Sequence, residues 1–368
     1  MDFPEPKLEG PFDAVGLRGK TTGRHNEFGL YLQSGEPVAQ ADISGGLFTS
    51  APVPSAQAHG DLRDVDTPVL FAGLAAKQFG HVILNSMGRL WALDHLPPET
   101  QVMFLPMRRA RLSFYPALTP LLRLVGRRQK PLLHKGPTRY QNAYTATDLF
   151  GERYGGAASP AFRDWFDHKL PPRGPIEPGL KIYVTRSQLG AAVGRFCNEV
   201  HLERLLEADG YQIVAPEQHG LNNQARLFQR AETLVFAEGS ALHLYALVQR
   251  AGQSVAVIQR RPELPQLLVG QLANGPTNTQ VHINAITGTY FPPRRADNLG
   301  LTTLDFNDLR DQLVAGGFLS RAAPWSAPPP AEERASLRAG LAADEDLMSA
   351  EDHQKWLKDR RRKRRAPA

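Results

Sequence analysis

From Lys181 onward the chain alternates short apolar runs with amphipathic stretches, and few chains with that rhythm can avoid a parallel sheet covered by helices. Lys181–Thr185, Tyr211–Ala215, Thr233–Ala237 and Ser254–Ile258 have the length and apolar content of buried strands, and Val281–Ile286 is a fifth candidate. Between them, Asn198–Asp209, Leu221–Ala231 and Ser240–Arg250 carry apolar residues at helical spacing, and Phe306–Ala315 closes the series before Gly316-Gly317. This half is expected to be Rossmann-like.

The first half is interrupted by Pro and Gly, but Pro68–Phe71 and Gln101–Leu105 read as strands flanking a helix from about Lys77 to Leu93. A second α/β domain is expected there. The 368 residues exceed what one core usually serves, so two domains are expected: residues 1–170, a Pro-rich linker at 171–180, and residues 181–320. Residues 321–368 are expected to be a Pro-rich segment that marks the end of the fold, then a mobile helix and basic tail.

The net charge of +6 resides in that tail, because Lys355–Arg365 holds eight basic residues against Asp359 alone. The body is therefore close to neutral, which argues against a nucleic-acid-binding fold. The tail reads either as a solvated end or as a peripheral contact with anionic membrane. One cysteine, Cys197, allows no intramolecular disulfide, and neither a signal sequence nor a spanning apolar run is legible, so the cytoplasm is the expected location.

Ligands of open α/β sheets bind beyond the carboxyl ends of the strands. Arg186 and Arg195 flank the loop after the first strand of the second half, where paired guanidinium groups suit a diphosphate or are simply surface arginines. Glu238-Gly239-Ser240-Ala241 opens a helix after the third strand, where backbone N–H groups suit a phosphate, with His243 just inside. Glu217 is placed either to accept bonds from a ribose or to cap the next helix. Asp64-Val-Asp66 has the spacing of a metal-bridging motif but precedes its apolar run, and no Gly-x-Gly-x-x-Gly follows a strand. No metal site and no cofactor are expected.

Tyr183–Ser187, Gly194-Arg195, Asn198-Glu199, Pro216-Glu217, Gln224, Phe228 and Glu238–His243, in that order, resemble the catalytic domain of glycosyltransferase family 61, in its bacterial polysaccharide-biosynthesis branch. The resemblance spans about Lys181 to Ile258. It implies two Rossmann-like domains in a GT-B-type arrangement with a cleft between them, and inverting, metal-independent transfer from a nucleotide diphosphate sugar to a glycan or glycolipid hydroxyl. Such transfer would serve capsule, exopolysaccharide or lipopolysaccharide synthesis at the inner membrane. Carried over by position, Arg186, Arg195, Asn198, Glu199, Glu217, Gln224, Glu238, Gly239, Ser240, Ala241 and His243 would bind the donor.

Gly80–Trp91 is similar to the family's His-led helix. At helical spacing His81, Asn85 and Arg89 share one face, opposite Ile83, Met87 and Leu90. His81 is expected to take the acceptor proton, or else only to order the interdomain cleft. Two positions depart from the family pattern: Asn85 stands where a carboxylate is common, and Glu238 where histidine is frequent. A noncatalytic nucleotide-sugar- or glycan-binding protein of the same fold is the competing reading.

Overall fold

In the second half the apolar runs assemble into one sheet of five parallel strands. The computed structural model describes residues 2–53, 62–190, 193–276, 279–292, 300–320, 325–341 and 345–365. The chain divides into two units. The first comprises Met1–Arg173, His243–Val248 and Gln266–Gly275; the second comprises Gly174–Leu242, Gln249–Pro265 and Pro276–Ala368.

The parallel sheet of the second unit runs Tyr211–Val214, Glu177–Val184, Ala231–Ala237, Ser254–Ile258, Thr279–Ile283 in space. In chain order this is 2-1-3-4-5, so the winding reverses between Glu177–Val184 and Ala231–Ala237. One face buries Tyr183, Val235, Ala256 and Ile258 against Leu202 and Leu206 of the helix Glu199–Ala208 and Leu309 and Leu313 of Phe306–Ala315. Each such aliphatic side chain, withdrawn fully from water, contributes about 1.5–3 kcal/mol. The helix Phe306–Ala315 begins where Asp305 accepts from the N–H groups of Asn307 and Asp308, an N-cap of the usual kind.

Past Ile283 the chain leaves this sheet. The expected fifth strand ends there, and Ile286–Phe291 instead joins a small second sheet with Arg195–Phe196, Leu301–Leu304 and Met348–Ser349. The fold also does not end at the prolines. Trp325 is buried in the second unit's core, Ser326 O accepts from His201 Nε2 at 2.8 Å, and His353 stacks on Phe291 at 4.1 Å between ring centroids. Trp325 and the Ser326 carbonyl inside the Pro-rich stretch, and His353 beyond it, dock the segment, an outcome its composition conceals. The basic run occupies the later part of the helix Ala350–Arg365; Pro324 lies outside the described residues. Among the described residues no helix is long and apolar enough to cross a membrane.

The first unit is built on a mixed sheet, not a second doubly wound one. Its order is Thr49–Ala51, His25–Leu32, Leu8–Thr22, Thr138–Ala146, Val69–Ala75, Gln101–Pro106, Leu132–Leu133, with Arg63–Val65 also paired to Thr138–Ala146. Leu8–Thr22 is antiparallel to both its neighbours. Parallel pairing joins Val69–Ala75 to Gln101–Pro106 across an intervening helix, Gln101–Pro106 to Leu132–Leu133, and Thr138–Ala146 to both Val69–Ala75 and Arg63–Val65. Leu8–Thr22 turns straight back into His25–Leu32 with no residues left for a crossover helix, so an antiparallel ribbon is the only pairing available.

Candidate functional site

The helix that carries His81 is short. It runs Phe79–Ser86 with Met87 as its C-cap, and at Gly88 the chain lies so close to the 148–150 segment that a Cβ would come within 1.8 Å of Asp148 Oδ1 and 2.6 Å of Phe150 O. The expected stripe of His81, Asn85 and Arg89 is therefore broken at its third member. Arg89 is buried beyond the helix, its Nε donating to Ala146 O, Nη1 to Asp148 Oδ2 and Nη2 to Asp42 O. Its guanidinium ties three segments of the first unit together.

His81 itself is half-buried and has a carboxylate partner that sequence spacing does not disclose. Its Nδ1 lies 2.6 Å from Oε1 of Glu152, which is 71 positions away and buried. Glu152 opens a 3-10 turn over Glu152–Tyr154, preceded by Gly151 at φ 125°. A Cβ at Gly151 would sit 1.9 Å from Leu84 O, so glycine alone lets this backbone press against the His81 helix. The second oxygen of Glu152 accepts the Leu47 N–H at 2.8 Å. Burial pushes the Glu152 carboxyl up, but the hydrogen bonds from His81, Leu47 and the Asn85 amide outweigh it and hold the group below its ordinary value. An ionised carboxylate only accepts, so His81 Nδ1 is the donor of this pair and Nε2 is left outside it. The ring of Phe48 meets His81 edge-on at 5.2 Å and fixes its plane. Asn85 donates through Nδ2 to His81 O at 3.0 Å, so it braces the same turn. The result is an imidazole oriented by a buried carboxylate.

The second constellation gathers where the parallel sheet reverses. Arg186 follows Glu177–Val184, and Glu238-Gly239 follows Ala231–Ala237, the two strands on either side of the switch. A Cβ on Gly239 would meet Arg186 Nη1 at 2.3 Å, so the guanidinium lies directly against the Gly239 backbone. Arg186 Nη2 donates to Gly194 O at 2.9 Å, while Nε is buried without a hydrogen-bond partner. Glu199, one residue into its helix, accepts from Tyr183 Oη, Thr185 Oγ1 and the Arg186 N–H through Oε1. Burial drives its carboxyl up to about 6 despite those bonds. Glu203 accepts from the Ser187 hydroxyl and shares the one Thr185 hydroxyl proton with Glu199, which completes the brace beneath the loop. Glu199 thus shapes the Arg186 loop from below.

Two residues that sequence reasoning passed over belong here. Arg260 and Arg261 follow the end of Ser254–Ile258, and Glu238 accepts from both backbone N–H groups and from the Arg261 guanidinium. Burial, and next the charge of Arg186, push Arg260 down to about 10. Two cations that repel each other beyond the carboxyl ends of the strands are an arrangement suited to a polyanion. The signal was present, since both arginines stand at the carboxyl end of a parallel strand.

The other expected donor residues are placed less uniformly. Gln224 spends its amide on Pro216 O and His219 O, fixing that turn, and Glu217 on the same turn is exposed. Ser240 and Ala241 start the helix Ala241–Val248. His243 Nδ1 meets Gln271 Oε1 at 2.5 Å within the first unit. Arg195 is buried and donates through Nη2 to Ser336 O and Ala339 O, and Asn198, at φ 60°, donates its N–H to Ser336 Oγ. Those two serve the C-terminal segment in this structure.

Comparison with known proteins places residues 79–254 on the family model described as Glycosyltransferase 61. That span contains His81, Glu152, Arg186 and Gly239. Solved structures that match include the iron-containing dodecameric glycosyltransferase TibC from enterotoxigenic E. coli, at 10% identity and TM-score 0.28 over 69% of this chain and 74% of that one. A second, dodecameric heptosyltransferase TibC in complex with ADP-D-beta-D-heptose, matches at 11% identity and TM-score 0.30 over 70% and 76% of the respective chains. Among curated proteins there is no match.

Proposed function

This chain is a member of glycosyltransferase family 61, and so a glycosyltransferase, and from that premise we propose that it moves a sugar from a nucleotide diphosphate donor to a glycan or glycolipid hydroxyl with inversion and without a metal. The observation that carries the reading is the 2.6 Å pairing of His81 Nδ1 with the buried Glu152, which leaves Nε2 to act as base. In the reaction, the acceptor hydroxyl gives its proton to His81 Nε2 while its oxygen attacks the anomeric carbon from the face opposite the diphosphate. The bond to the nucleoside diphosphate breaks, and its developing charge is taken up by Arg186, Arg260 and the helix start at Ser240-Ala241. In this reading the second unit holds the donor and the first activates the acceptor, a GT-B-type division. The location is cytoplasmic, the basic run Lys355–Arg365 lending contact with anionic lipid at about 1 kcal/mol per basic residue near the surface.

The test is nucleotide release from a panel of nucleotide sugars with an acceptor present and a chelator added, followed by NMR of the product anomer. Inverted product from the wild type, with turnover about 10²–10⁴-fold lower in His81→Ala, is the expected result. Donor binding without turnover in the wild type would favour the noncatalytic alternative, and unchanged turnover in His81→Ala would remove His81 from the chemistry.

A further inference from the structure

On the first unit, the bulged hairpin and the segment that follows Gln101–Pro106 frame a cavity of about 800 Å³ lined by Arg18, Lys20, Thr21, Met107, Arg108, Arg109 and the residues beside them. Four of the lining residues are cationic and none is acidic. Arg18 is 8% exposed, and of its guanidinium only Nη2 finds a partner, Thr21 Oγ1 at a long 3.4 Å; Nε and Nη1 are buried without one. A buried, half-satisfied guanidinium beside other cations is costly to maintain unless something anionic completes it.

The surroundings rule out the ordinary compensation. The Glu27 carboxylate accepts the Lys20 backbone N–H at 2.8 Å and lies over Gly19, and it takes no hydrogen bond from the Arg18 guanidinium. His134 bonds Tyr140 Oη through Nδ1, and its Nε2 is buried and unpartnered. Burial first, and then the charges of Arg18 and Arg109, hold His134 down at about 3, so it adds no charge of its own. Burial and the charge of Arg109 likewise disfavour the cationic form of Arg18. The pairing register between Leu8–Thr22 and His25–Leu32 shifts between Arg18 and Thr21, and such a bulge re-aims the side chains around it.

We propose that this cavity binds a phosphate ester, with Arg18 as the buried anchor, Lys20, Arg108 and Arg109 as the cationic rim, and the Thr21 hydroxyl as a further donor. A phosphate offers several acceptor oxygens and close to two negative charges near neutral pH, which a guanidinium and its cationic neighbours match in shape and sign. The ligand chemistry is shared by a soluble phosphorylated saccharide and by a phospholipid headgroup. The proposal stands apart from the assignment of His81 as base, and neither depends on the other.

The experiment titrates inorganic phosphate and glycerol 1-phosphate into the full chain by calorimetry. It uses the wild type, Lys20→Gln/Arg108→Gln/Arg109→Gln, and a charge-matched control, Lys355→Gln/Lys358→Gln/Arg360→Gln. All six positions are exposed, so both variants keep the fold; Arg18→Gln then tests the anchor, with thermal unfolding as its folding check. Saturable binding that falls at least about tenfold in the rim variant and not in the control is expected, a loss of at least one charge-assisted contact. No saturable binding in the wild type, or an equal loss in both variants, overturns the proposal. Flotation with phosphatidylcholine vesicles carrying phosphatidic acid then separates the sources: a larger loss in the rim variant identifies a lipid headgroup, and a larger loss in the tail control leaves a soluble phosphate ester as the ligand. Either supports the phosphate chemistry.

Discussion

His81 Nδ1 and Glu152 Oε1 stand 2.6 Å apart, and the carboxylate is the more deeply buried of the pair. Its second oxygen accepts the Leu47 N–H, so hydrogen bonds hold both oxygens and Glu152 serves to orient the histidine. Where the family pattern leads one to look for a carboxylate at position 85, this chain supplies one from a turn 71 residues beyond the histidine. Asn85 then completes the turn instead of doing proton chemistry.

From this follows a prediction about Glu152→Gln. The amide keeps the shape but loses the charge that holds the proton on Nδ1, so kcat should fall by about 10–100-fold while donor KM changes little, by analogy with the carboxylate partners of other oriented histidines. Glu152→Gln/His81→Ala should be no worse than His81→Ala alone, because the two act as a unit. Steady-state kinetics on the three variants decide it; additive losses would separate the residues. Stability carries a second sign. A carboxyl held below its ordinary value contributes stability that is present above that value and lost as pH falls through the folded one, and Glu152→Gln should remove that contribution.

Glu199 has the opposite sign. Its carboxyl, near 4.5 ordinarily, rises to about 6 on folding, so the native state holds the proton more tightly than the unfolded chain. Stability from this group is complete at low pH, declines as pH rises from about 4.5 to about 6, and is flat above, a loss of about 2 kcal/mol. Urea unfolding across that window should show the wild type losing ground relative to Glu199→Gln. Parallel pH profiles for the two proteins would contradict the burial argument.

The parallel sheet was legible because both signals agreed along the same stretch: Ser254–Ile258 and Phe306–Ala315 occupy the residues that apolar length and helical spacing single out. The mixed sheet was not. Leu8–Thr22 holds glycines, a proline and charged residues, and its pairing with Thr138–Ala146 is set by contacts more than a hundred residues away. Arg186 and Gly239 were found from strand ends, since the switch rule needs only the strands. Glu152 escaped because a side-chain pair across 71 residues leaves no periodic trace. The docking of Trp325 escaped for a related reason: proline-rich composition reports on backbone regularity, and says nothing about one aromatic finding a core.

Gly239 provides a test that separates the donor site from the fold. Its absent Cβ would meet the far end of Arg186, at 2.3 Å from Nη1, while the nearest atoms are all side chain. Gly239→Ala should therefore push the guanidinium aside at little cost to stability. The expected outcome is an unfolding midpoint near that of the wild type with a donor Kd weaker by about tenfold, one charge-assisted contact. A large drop in midpoint, or an unchanged Kd, would show that Arg186 does not depend on this approach.

Gly151 is the contrasting case, where the obstruction is backbone. It sits at φ 125°, a region that L side chains rarely adopt, and a Cβ there would lie 1.9 Å from Leu84 O in the helix that bears His81. Neither partner can yield without moving the helix Phe79–Ser86 or the Glu152–Tyr154 turn. Gly151→Ala should cost about 1–3 kcal/mol from overpacking, with the positive φ adding to it, and should separate His81 from Glu152 in the molecules that still fold. Chemical denaturation measures the first effect. The second appears as a fall in kcat matching that of Glu152→Gln, at a temperature where the variant remains folded. Wild-type kcat with lowered stability would mean that the His81–Glu152 pair survives displacement of its turn, and that the pair is held by its own hydrogen bond and not by the backbone beneath it.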